Sequence, residues 1–129
     1  MGSNIITWCS KRQTTVATST TVAEYFALYE ATTEAVCLRA LLKDLGQDQK
    51  GATTIREDNQ TAIKLAQDDA SHKRTKHIDV KFHYTKEQVD SGVIQVEYVA
   101  TEENLADFFT KQLPRIQHQN FSKQLRLCA

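Results

Sequence analysis

The chain has 129 residues, 40% of them hydrophobic and 25% charged, with sixteen basic and sixteen acidic side chains that cancel. Those values fit one soluble globular domain, large enough to build a core without a disulfide or metal staple. No apolar run approaches a membrane span and no signal-peptide core opens the chain, so no membrane partner is expected. Cys9, Cys37 and Cys128 are odd in number and far apart, which argues against a disulfide framework and against a C-x-x-C zinc site. An intracellular setting, cytoplasm or nucleus, is the expectation, with Cys37 as a small core residue. The charge is unevenly spread. All sixteen acids lie between Glu24 and Asp107 with only ten of the basic residues, so that segment is −6 and the flanks together +6.

In chain order, Met1-Gly2-Ser3 reads as a cloning scar. Ile5 to Cys9 is rich in β-branched and aromatic residues and predicts a strand. A long helix follows from about Thr21, where Thr21-x-x-Glu24 matches a capping box. Its predicted core stripe is Leu28, Ala31, Ala35, Leu38, Leu42 and Leu45, and Gly46 supplies the stop. One step back from Leu28 along the same stripe is Glu24, a carboxylate at the end of a buried face. Trp8, Tyr25, Phe26 and Tyr29 read as core or interface residues, since no alternation of aromatic and basic residues marks a single-strand-binding surface.

Ala52–Glu57 predicts a short strand, followed by Asp58-Asn59 and a helix from Gln60 to Gln67. A further helix is expected from about Ser71 to Val89, with Ile78, Phe82 and Val89 on one side. Its start carries Lys73, Arg74, Lys76 and His77, a basic group suited to phosphates that opposes the helix dipole and so hints at a partner. Asp79 and His83, four apart, with His72 and His77 nearby, form a weaker metal alternative. Ser91-Gly92 makes a turn. Val93 to Ala100 alternates, with Ile94, Val96 and Tyr98 on one face and Gln95 and Glu97 on the other. Thr101 caps a helix bearing Leu105, Phe108 and Phe109, and Pro114 ends it or begins a basic tail or final helix over 114–129. This order of strands and helices indicates an α/β fold.

Glu24, Asp58 and Asp107 are the candidate site residues. Carboxylates gathered from separate segments hold paired divalent metals in phosphodiester chemistry. Each also has a local structural reading: Glu24 as a capping-box partner, Asp58 as an N-cap, Asp107 as the ion-pair partner of Lys111.

Four segments, T-W-C-S-K-R-Q-T-T-V-A-T-S-T-T-V-A-E-Y, E-D-N-Q-T-A-I, R-T-K-H-I-D-V-K-F-H-Y and E-Y-V-A-T-E-E-N-L-A-D-F-F-T-K-Q-L, in this order, resemble the ribonuclease H domain of copia-type retrotransposon polyproteins. The resemblance covers about Ile5 to Leu113 and implies a ribonuclease H-like domain over 4–113. It implies an incomplete mixed sheet flanked by helices. It also implies that Glu24, Asp58 and Asp107 are three of four carboxylates binding two Mg²⁺ (or Mn²⁺) ions that cut the RNA strand of an RNA–DNA hybrid. The fourth, an aspartate, belongs to a strand two strands before the W-C-S-K-R-Q segment, so it and two strands are expected to be missing. Glu57 stands where the family often has a small residue, and either repels its neighbours or substitutes as a ligand. The expected function is therefore a catalytically inactive, retrotransposon-derived module for protein interaction or homodimerisation through open strand edges. The alternative is an active, Mg-dependent ribonuclease H within a longer polyprotein.

Overall fold

A computed structural model describes residues 5–14, 16–68 and 76–127, with the backbone alone for 76–79. The chain divides into two compact units, Ala17–Thr101 and a second made of Met1–Val16 with Glu102–Ala129.

The larger unit opens with α1 (Thr20–Asp44), whose N-cap is Ser19; the Ser19 side chain accepts a hydrogen bond from the Val22 amide at 3.2 Å. The expected cap at Thr21 is thus corrected by two residues, which puts Glu24 inside the helix body. Gly46 ends α1 at φ +74°, a conformation that costs glycine no Cβ clash. The amides of Gly46 and Gln47 donate to the carbonyls of Lys43 and Leu42, the paired bonds of a Schellman motif. Arg39 then donates to the carbonyls of Gln49 and Gly51 and to Thr53 Oγ1, at 2.7, 2.7 and 2.9 Å, and so ties the following loop to α1.

That loop leads into β1 (Thr53–Glu57), then α2 (Gln60–Gln67), α3 (Lys76–Asp90) and β2 (Ile94–Tyr98). The strands pair in parallel, Thr53 opposite Ile94 and Glu57 opposite Tyr98, with two helices in the crossover. Among the described residues the sheet has these two strands, so it is parallel rather than mixed. Alternation sends Ile55, Ile94 and Val96 toward the helices and leaves Thr54, Arg56, Gln95 and Glu97 in solvent. Tyr98 breaks the expected pattern: it lies at the strand end and is exposed. The core is Tyr25, Leu28, Ala62, Ile63, Ala66, Phe82, Ile94 and Val96. At its centre the Tyr25 ring stacks on Phe82 at 3.9 Å between centroids.

The predicted stripe of α1 is half right. Leu28 is buried, Ala35 packs at the core margin and Leu38 and Leu42 are half-buried, whereas Ala31, Cys37 and Leu45 are exposed. A helix of this length runs about 37 Å, longer than a five-residue strand can cover, so only its first half has a full set of neighbours.

In the smaller unit, residues 5–9 form no strand. β-propensity expresses fit to a pleated surface, and a β-branched run with no paired backbone beside it does not extend as a strand by itself. A 3-10 turn at Thr101–Glu103 is followed by α4 (Asp107–Thr110) and α5 (Arg115–Gln124). The expected helix capped by Thr101 is therefore split, and α4 has Ala106 as its N-cap, with no side-chain cap hydrogen bond. Pro114 is the N-cap of α5, where its missing amide hydrogen costs nothing.

Candidate metal centre

The carboxyl end of β1 and the first turns of α1 meet in the larger unit. β1 ends on Glu57, and the chain turns at Asp58 and Asn59 into α2. Asn59, not Asp58, caps that helix, accepting from the amides of Thr61 and Ala62 at 3.0 and 3.1 Å. Asp58 is relieved of the capping role and remains half-buried at the strand end.

Carboxylate oxygens of Glu24, Glu57 and Asp58 all lie within 4.8 Å of one another. Two of the three sequence-predicted carboxylates are thereby brought together, joined by Glu57, for which the sequence left open repulsion of its neighbours or service as a ligand. Glu57 is 6% exposed and accepts a hydrogen bond from the Asn59 amide at 3.0 Å. Burial pushes its carboxyl up to about 7, and the charges of Glu24 and Asp58 push in the same direction, against the lowering effect of the Asn59 and Asp58 backbone. The signal for Glu57 is present in the strand period: in T-T-I-R-E, Glu57 shares a face with Ile55, the face that packs on the helices.

All-oxygen donors suit hard cations such as Mg²⁺, Mn²⁺ or Ca²⁺. Around an octahedral ion with bonds of about 2.1 Å, ligand oxygens sit roughly 3–4 Å apart, so this group needs only a small contraction to fit. Three carboxylates this close repel one another, and a dication reduces that repulsion.

Asp107 belongs to the other unit. It opens α4, is buried, and pairs with Lys111 one turn later at 2.9 Å. Of the basic group, Lys73 and Arg74 lie outside the described residues, as does His72. Lys76 and His77 are placed on the backbone of α3 only, as is Asp79, and His83 is exposed. No helix among the described residues is long and apolar enough to cross a membrane.

Comparison with known proteins decides the ancestry. The Pol polyprotein from transposon TNT 1-94 of Nicotiana tabacum is 44% identical over 110 residues, 85% of this chain. Those from transposons RE2 and RE1 of Arabidopsis thaliana are 37% and 36% identical, each over 97% of this chain. This chain is homologous to retrovirus-related Pol polyproteins of plant transposons. It spans 8–9% of the length of these Pol relatives. The copia-type resemblance of the motifs therefore stands as Pol polyprotein ancestry. No protein-family model matches the chain. No solved structure matches it.

Proposed function

We propose that this chain is the ribonuclease H-like part of a retrotransposon Pol polyprotein, and that Glu24, Glu57 and Asp58 hold a divalent cation there for cleavage of the RNA strand of an RNA–DNA hybrid. The observation that carries the reading is the meeting of three carboxylates from α1 and the end of β1 in one group. Open α/β sheets present their sites at the carboxyl ends of strands, which is where Glu57 and Asp58 stand. The motif order suggests the reaction class, and the Pol homology supports that reading.

A bound dication would lower the pKa of a coordinated water and offset charge on the phosphate. Within that arrangement the side chains have separate duties. Asp58, half-buried at the turn, and Glu24, on a helix fixed by the core, supply oxygens from two directions. Glu57 would supply a third from its buried position, and would have to be ionised to do so. The Asn59 amide holds one Glu57 oxygen at 3.0 Å and so fixes the carboxylate at the turn.

Calorimetric titration of the chain with Mn²⁺, beside hybrid cleavage by a longer Pol polyprotein containing this segment, tests the proposal. Saturable binding that is lost in Asp58→Asn, with cleavage lost in the same variant, is the expected result. Absence of binding at millimolar Mn²⁺ would overturn it.

A second reading, association with a partner or a second copy, draws on the far half of α1. Leu41 and Leu45 are 55% and 67% exposed, and with half-buried Leu38 and Leu42 they make a stripe at spacings of three and four. Sedimentation velocity over micromolar concentrations tests it: a dimer dispersed by Leu41→Lys supports association, and a monomer throughout removes the homodimer.

A further inference from the structure

Trp8 and Phe109 are 101 positions apart in sequence, yet within the smaller unit their rings stack, with centroids 5.3 Å apart and planes inclined by 11°. Phe108 meets Phe109 edge to face at 5.3 Å, and the His118 ring lies 4.8 Å from Phe108. The indole remains 63% exposed despite this contact. One of its faces is backed by an aromatic ring while most of its surface meets solvent. Burial does not explain why so large an apolar group is held flat in this way.

The electrostatic setting is equally specific. The smaller unit has six basic and three acidic side chains, in a molecule whose total charge is zero. Residues 5–14, which carry Trp8, include Lys11 and Arg12 and no acid. Arg115 stands one helical turn before His118 on α5, and Arg12, Arg115, Lys123 and Arg126 are all exposed. Of the three acids, Asp107 is already neutralised by Lys111.

We propose that the Trp8–Phe109 stack is a platform on which an unpaired nucleobase of single-stranded nucleic acid lies, with the exposed Arg and Lys residues of the same unit attracting its phosphates. A flat, exposed ring in a unit with an excess of basic side chains matches the chemistry of single-strand binding, in which every base offers a π-face and the backbone supplies the charge. An apolar protein partner would gain from the ring but not from the cationic excess of this unit. The platform makes no use of the carboxylates of the larger unit, so it operates without a divalent cation and stands whether or not the metal proposal does.

Trp8 is the only tryptophan in the chain, so its emission reports the contact directly. The full chain is titrated with a dT₁₀ oligonucleotide in EDTA at low salt, with fluorescence and anisotropy read together. A matched oligomer of abasic sites is titrated in parallel. Saturable quenching by dT₁₀ is expected, with little quenching by the abasic oligomer. Trp8→Ala should bind dT₁₀ about tenfold more weakly with an unchanged circular dichroism spectrum, while Trp8→Phe keeps most of the affinity. Asp58→Asn should bind as the parent does, which separates this site from the carboxylate group. Absence of quenching at 100-fold molar excess, equal quenching by the abasic oligomer, or equal affinity of Trp8→Ala would each overturn the proposal. Should Trp8→Ala fail to fold, the quenching comparison and Trp8→Phe still decide the matter.

Discussion

Glu57 accepts a hydrogen bond from the amide of Asn59, two residues further along the chain, while Asn59 in turn caps α2. One short turn thereby ties a buried carboxylate to the start of a helix. The strand end and the helix cap form a single mechanical piece, and the carboxylate group is built on it.

Glu57→Gln removes a charge that the metal-free site tolerates poorly. The variant should melt several degrees higher than the parent at pH 8 in EDTA, since one or two kcal/mol moves a domain of this size by that much. The same change should weaken Mn²⁺ binding at least about tenfold, a loss of about 1.4 kcal/mol. Paired melting and calorimetry check it, and a variant that binds Mn²⁺ as well as the parent would remove Glu57 from the ligand set.

The pH dependence follows from the same group. Its carboxyl is raised from 4.5 to about 7 in the folded chain, so the folded state holds the proton more tightly than the unfolded state does. Its contribution to stability is full below about pH 4.5 and is lost as pH rises through about 7, in total about 3 kcal/mol. Urea midpoints in EDTA between pH 5 and 8 should fall for the parent and fall much less for Glu57→Gln. Parallel curves would contradict the assignment.

Asn59→Ala deprives the amides of Thr61 and Ala62 of their acceptor and should cost about 1 kcal/mol. Asp58→Asn should leave that cap intact. Chemical denaturation separates them: a larger loss for the Asp58 variant than for Ala at Asn59 would show that the capping duty belongs to Asp58 after all.

Arg126 holds φ at +54° at the end of α5, where the Leu127 amide returns to the Ser122 carbonyl. Most L-residues resist this conformation, and glycine does not. Arg126→Gly should stabilise the chain by about 0.5–1 kcal/mol, provided that α5 unfolds with the rest, which thermal melting followed at 222 nm reports.

Local signals in the chain placed much of this. The α2 bounds, both strands within two residues, the Gly46 stop and the Ser91-Gly92 turn depend on neighbours in sequence and were legible there. Glu24 and Asp58 came from spacing and motif order, and they do meet. Other features depend on what lies across the fold. Among the described residues, Ile5–Cys9 has strand chemistry but no paired strand beside it, and Leu45 has core chemistry but is exposed. The Ser19 cap won over Thr21 through a choice of one helical turn among adjacent hydroxyls, which composition does not resolve. The Trp8–Phe109 stack joins opposite ends of the chain, so no window of sequence contains it.

Tyr25 is fully buried, stacks on Phe82 and donates its hydroxyl to the Phe82 carbonyl at 3.4 Å. That contact acts as a rotational key for α1. A slip of one residue would turn the helix about 100° and shift it about 1.5 Å, carrying Glu24 away from Glu57 and Asp58. The fit of one aromatic ring in the core therefore sets the aim of the carboxylate beside it. Substitutions at Phe82, far along the chain from any acid of the group, should act on cation affinity through that aim.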